Sequence, residues 1–225
     1  MRLIKKSHRH AESIIQGNPY LRNDYSELLN ILENITDDDL INDFYNRLGL
    51  KRGKSLSKSI NHLIKIRLEE KGWKSESKIF KSGSYKHPWR LDFTKGKFSV
   101  EVAFNHGEAT AWNLMKPVIA SEINHVDKEI QTEIGIVVFA TSEMKRSGGF
   151  DGTVKTFEDF ELFRKPLMNY LTVPLLIIGL DRPESFEIKH YKIPGINGKL
   201  GLVYKNGERI IPQGEGQFKD IETTI

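Results

Sequence analysis

Asp92 and Glu101 are the two residues of this 225-residue chain whose types and spacing could do chemistry together. They lie in the stretch RLDFTKGKFSVEVAFN, residues 90–105. Its TKG is a tight-turn signal, so Trp89–Phe93 and the run KFSVEVAF read as the two strands of a hairpin. In the second strand Phe98, Val100, Val102 and Phe104 share one face, and Ser99, Glu101 and Ala103 the other. Four apolar side chains claim the core, so Glu101 is expected to face a cleft, with Asp92 beside it on the preceding strand. Two carboxylates a few ångströms apart repel each other, a divalent cation relieves that repulsion, and hard oxygen ligands favour Mg²⁺. A cation held this way polarises a phosphoryl group, lowers the pKa of a bound water and offsets charge on a leaving oxygen. An ordinary half-exposed hairpin can carry the same two residues, and the pair alone does not choose between these readings.

Charge points to the same class of substrate. The net charge is +4, but residues 51–97 carry fourteen Lys and Arg against four Asp and Glu. The rest of the chain is therefore net acidic by six. A basic block beside paired carboxylates suits a polyanion such as nucleic acid, although a lysine-rich solvated helix would give the same count. The chain has no cysteine, which excludes disulfides and Cys–metal frameworks and fits a reducing cytoplasm. The N-terminus has no long apolar run of the signal-peptide kind, and VPLLIIGL is far too short to span a bilayer. No His-x-x-x-His spacing suggests zinc.

The elements that must position the pair follow from periodicity. Residues 20–50 read as helices, with Thr36 or Asp37 opening the second. Residues 55–71 form an amphipathic helix, with Leu56, Ile60, Leu63, Ile64 and Leu68 on one stripe, ended by Gly72. After the hairpin a helix is expected from about Glu108 to about Glu129, kinked or split by Pro117. Residues 134–140 form a buried strand, 142–159 a long polar loop, and a helix is expected near 157–170. Residues 173–180 form a second buried strand. The tail has short strands with an Asn-Gly hairpin turn. This order gives an α/β chain around a mixed central sheet. The expected organisation is a single domain: a helical segment at 1–50, a core at 55–182 and a β-rich extension at 183–225.

The combination RLDF…VEVAFN, then a helix, then IGIVVFA and VPLLIIGL, resembles the PD-(D/E)xK nuclease core. Within that superfamily it is most similar to type II restriction endonucleases of the BglII/BamHI-like group, over roughly residues 55–182. The resemblance implies a restriction-endonuclease-like fold with a mixed central sheet flanked by helices. It implies Mg²⁺-dependent, sequence-specific hydrolysis of double-stranded DNA at a short palindromic site by a homodimer, with a DNA methyltransferase as genetic companion. It implies that Asp92, Glu101 and the main-chain carbonyl of Val102 hold the metal. Leu91 stands where the motif's name has proline. Asn105 and His106 fall where the group reads bases, although the group has a Ser-Asn pair there.

Ala103 departs from the pattern: the superfamily usually has Lys at this position, BamHI relatives Glu, and BglII Gln. Those side chains can orient or activate the attacking water, and a methyl group cannot. Three readings stand. The metal-bound water suffices, another side chain (Asn105, Glu108 or Lys116) fills the catalytic slot, or the chain binds DNA without cutting it. A repair or RNA-processing nuclease is the remaining alternative. The loops at 81–89 and 144–152 offer Lys81, Lys86, Lys145 and Arg146 as phosphate contacts, which position a duplex without reading it. Glu69 and Glu70 read as an ordinary helix end, and Trp112 and Met115 as core.

Overall fold

Strands covered on both faces need no polar alternation, and Ile134–Ala140 and Leu175–Leu180 have none. They form the middle of the sheet. The computed structural model describes residues 1–46, 53–81, 89–104, 107–122, 127–192 and 199–210. Its elements, in chain order, are β1 (Leu3–His8), α1 (Ala11–Gly17), α2 (Pro19–Glu33), α3 (Asp37–Asn46), α4 (Ser57–Glu70), β2 (Lys74–Lys78), β3 (Arg90–Lys95) and β4 (Phe98–Val102). A 3₁₀ turn at Gly107–Ala109 leads into α5 (Thr110–Ser121), β5 (Ile134–Ala140), α6 (Ser142–Ser147) and α7 (Phe160–Leu167). The chain then continues through β6 (Leu175–Leu180), β7 (Phe186–Lys192), β8 (Lys199–Lys205) and β9 (Glu208–Arg209).

The central sheet runs β1-β6-β5-β4-β3-β2, and β7-β8-β9 form a second small sheet. β4, β5 and β6 are parallel, whereas β1, β2 and β3 join antiparallel, so the sheet is mixed. One face packs Phe98, Val100, Val102, Ile136 and Val138 against Leu28, Leu32, Phe44, Ile60 and Ile64 of α2, α3 and α4. The opposite face packs Ala103, Val137, Phe139 and Ile177 against Leu114, Val118 and Phe160 of α5 and α7. No described helix is long and apolar enough to cross a membrane.

Several sequence expectations hold. Gly72 closes α4 at φ +79, and the Asn206-Gly207 turn has the two positive φ values, 53 and 85, of a tight hairpin. Thr36 caps α3: its hydroxyl accepts from Asp39 N–H at 3.1 Å, and Asp39 accepts from Thr36 N–H at 2.8 Å.

Others need correction. The helix after the hairpin ends at Ser121, not near 129, and Pro117 lies inside it without splitting it. Proline is accommodated because its ring seats on β5: a Cβ at Gly135 would lie 2.5 Å from that of Pro117. The Ser121 carbonyl ends the helix by accepting from the Gln131 amide at 2.6 Å. Residues 142–147, read as loop, form α6, where Thr141 caps Met144 N–H and the buried Met144 anchors an otherwise polar turn. Alongside the expected helices, residues 1–50 also supply β1. Both β1 and β2 are polar edge strands whose composition hides them, because an edge with one free side tolerates lysine and serine.

Candidate active site

The β3–β4 ladder holds its backbone register only to Phe93↔Val100. One step further, Asp92 and Glu101 stand opposite each other, and their carboxylates replace the missing backbone links. Val102 N–H donates to Asp92 Oδ2 at 2.7 Å, and Asp92 N–H donates to Glu101 Oε1 at 3.3 Å. Each acid is therefore tied to the other's strand.

The cleft expected at Glu101 is not open. All of β4 is buried, and Glu101 is 1% exposed. The covering element is α5. Ala103 packs under it with Leu114 and Val118, and its N–H continues the parallel ladder to Val138 O at 2.8 Å. From α5, Lys116 turns its ammonium onto Glu101 Oε2 and also donates to the Arg90 carbonyl at 3.2 Å. Trp112, one turn earlier on α5, is 40% exposed and meets Trp89 edge-on at 4.4 Å, just ahead of β3. Phe80 lies 5.5 Å from Trp89, so this aromatic group ties the start of β3 to α5.

Electrostatics mark the pair. The Glu101 carboxyl is pushed up to about 8, first by burial and then by the neighbouring Asp92, while Lys116 pulls the other way. Burial also raises Asp92, against the Val102 N–H and Lys116. Two neighbouring acids whose charged forms burial disfavours are what a dication would relieve. The donor set fits one: two carboxylates and the Val102 carbonyl are hard oxygens, and that carbonyl, though it accepts from Phe104 N–H at 3.2 Å, retains a second lone pair. Among the described residues no group of three or more His, Cys, Asp or Glu side chains is placed to hold a metal. A cation here would complete its shell with water.

Asp92 opens onto a cavity of about 190 Å³, lined also by Asn61 and Lys65 of α4, Ser75 and Glu76 of β2, Phe93 and Val102. Asn61, Lys65 and Glu76 were not expected at the site. The signal was present for the first two: they are spaced i, i+4 on the polar side of an amphipathic helix. Glu76 gave none, since only its left-handed φ of +49 marks it as irregular within the strand. Glu69 accepts from Ser75 and lies 3.9 Å from Lys65, as befits a helix end.

The remaining expected contacts divide. Asn105, His106 and Lys86 lie outside the described residues. Lys81 is 3.7 Å from Asp127 and more than half exposed. Arg146 pairs with Glu143 and is 72% exposed. Lys145 clamps its own loop, donating to the carbonyls of Gly152 and Val154 at 2.7 Å each. That loop in turn meets the segment after β4, where Gly107 N–H donates to Thr153 O at 3.0 Å.

The family model for the restriction endonuclease BglII/BglIII matches residues 3–180. No curated protein matches the chain. Among solved structures, restriction endonuclease BglII complexed with a DNA 16-mer aligns with a TM-score of 0.59 at 19% identity, covering 96% of each chain. Free BglII aligns with a TM-score of 0.48 at 16% identity, covering 91% of this chain and 95% of its own. With the family model spanning the whole central sheet and the paired carboxylates, the chain belongs to the BglII/BglIII family of restriction endonucleases and is a type II site-specific nuclease.

Proposed function

We propose that this nuclease hydrolyses both strands of a short palindromic site in double-stranded DNA, with Mg²⁺ as its cation. The reciprocal bonding of Asp92 and Glu101 across the splayed end of the hairpin carries this reading. Asp92, Glu101 and the Val102 carbonyl would hold the ion, which when bound polarises the phosphodiester and acidifies a water. The chain's own part is orientation. Val102 N–H fixes the Asp92 carboxylate, Asp92 N–H fixes that of Glu101, and α5 keeps bulk water off the buried side of the site. Water's oxygen forms the new bond to phosphorus as one ester P–O bond breaks; the departing oxygen takes a proton from solvent, and the attacking water's proton is released to solvent.

A palindrome matches a C₂ dimer, in which each subunit cuts one strand. Leu162 and Tyr170, 65% and 64% exposed on and just after α7, are apolar surface that a second copy would cover. Asn105 and His106, which follow β4 in the sequence, would read base edges. Lys81, Lys86, Lys145 and Arg146 would supply positive charge along the backbone. Working in the cytoplasm, such an enzyme needs a DNA methyltransferase of the same specificity to protect the host's own sites.

Ala103 favours a second reading, a protein that binds DNA without cutting. Incubation with a plasmid of known sequence and Mg²⁺ separates the two. Discrete fragments with common ends support the restriction reading. A smear indicates a nuclease of another role, and shifted but intact plasmid indicates binding alone.

A further inference from the structure

Ala103 leaves the catalytic hairpin without a polar side chain at the position after Glu101 and Val102, yet an ammonium reaches the site by another route. Lys116 comes from α5, its side chain only 13% exposed, and its contacts are the Glu101 carboxylate and the Arg90 carbonyl on the strand of Asp92. It therefore touches both strands of the hairpin. Two features deliver it there. The methyl group of Ala103 lies under Leu114 and Val118, which lets α5 settle closely on β4. Next in sequence to Lys116, Pro117 is seated on Gly135 of β5, where there is no room for even a Cβ. α5 is thus held at its proline, and the lysine is held with it. A lysine chosen only for solubility would have left its ammonium in water.

We propose that Lys116 is the positioning residue that replaces the missing side chain at 103, holding Glu101 in place and supplying a fixed positive charge beside it. This rests on the reading that Asp92 and Glu101 bind the catalytic cation. The charge count explains its use. Two carboxylates and one dication sum to zero, and adding Lys116 gives a net charge of +1, which matches one phosphodiester. Lys116 therefore acts against the cation in the free protein and for the phosphate in the complex.

That opposition gives a readout that loss of packing cannot imitate. With Lys116→Met, single-turnover cleavage of a duplex carrying the mapped site is expected to fall by about 100-fold, a typical loss for one preorganised charge contact. Binding of Mn²⁺ to the free protein, followed by electron paramagnetic resonance, is expected to tighten by a few-fold, because a like charge has been removed. Binding of the same duplex in Ca²⁺ is expected to stay within a few-fold. Lys116→Gln serves if the methionine variant does not fold. The proposal is overturned if the single variant cleaves within threefold of the parent, or if its Mn²⁺ binding weakens in step with cleavage. Asp92→Asn in the same series keeps the two readings apart. A variant at 92 that still cuts sinks the metal site itself, whereas a dead variant at 92 beside an active Lys116→Met sinks only the role of the lysine.

Discussion

Asp92→Asn is expected to lower single-turnover cleavage by at least about 10³-fold, which corresponds to roughly 4 kcal/mol of transition-state stabilisation, while the folded protein keeps its affinity for DNA. The substitution is chosen for what it preserves. Asn carries an oxygen that can still accept from Val102 N–H, now at 2.7 Å from Asp92 Oδ2, so the hairpin end keeps its link. Its backbone N–H still donates to Glu101. Only the charge and one metal-grade oxygen are lost. DNA affinity measured in Ca²⁺-free buffer should hold or rise slightly, because one negative charge leaves the neighbourhood of a phosphate. Gel shift and quenched-flow cleavage on one duplex give both numbers. A variant that cuts within tenfold of the parent would remove Asp92 from the site.

The second large effect is on stability. Glu101 has its carboxyl raised from 4.5 to about 8 by burial and by Asp92. A carboxyl raised in the folded state favours folding while it is protonated. That advantage is complete below its unfolded value and is lost as pH climbs through the folded one. In chelator, stability should therefore fall between about pH 5 and pH 8, the opposite of the usual carboxylate trend. A shift of a few units is worth on the order of a few kcal/mol, or roughly 5 to 10 °C in melting temperature for a chain of this size. Glu27, Asp39, Glu158, Glu161 and Asp181 are all lowered, so their contributions are already in place by pH 6 and do not hide the effect. The Met1 amine is also lowered and works in the other direction near pH 8. Comparison with Asp92→Asn removes it, because that variant keeps Met1 and relieves Glu101 of its second-largest perturbation. The slope should be shallower in the variant. Ca²⁺ or Mg²⁺ should restore the parent's stability at pH 8 far more than at pH 5.5, since a dication binds the ionised pair. Thermal melts across pH, with and without cation, test this. A flat profile indifferent to cation would contradict it.

The hairpin was legible in the sequence because two independent signals agreed, the apolar alternation of Phe98 to Phe104 and the turn residues of TKG. β5 and β6 were legible because unbroken apolar runs bounded by polar residues have few other uses in a chain this size. The covering of Glu101 was not legible. Alternation says that Ser99, Glu101 and Ala103 share a face, but not whether solvent or a helix lies against it, and here α5 does. Lys116 could be named as a candidate, but its selection over Asn105 or Glu108 depends on how α5 docks. That docking is set by contacts between Pro117, Gly135 and Leu175, residues far apart in the chain. Asn61 and Lys65 were hidden in a basic helix face that suited solvent equally well. The edge strands β1 and β2 were hidden because their side chains face water on much of their length, so the hydrophobic period that betrays inner strands is absent.

The chemistry comes down to one ion between two side chains. Crystals grown with Mn²⁺ and measured at its absorption edge test that directly. An anomalous peak about 2.1 Å from an oxygen of Asp92 and of Glu101, with the Val102 carbonyl in its shell, is the expected result. A fully loaded crystal with no peak there, or with its manganese bound by other residues, would contradict the account.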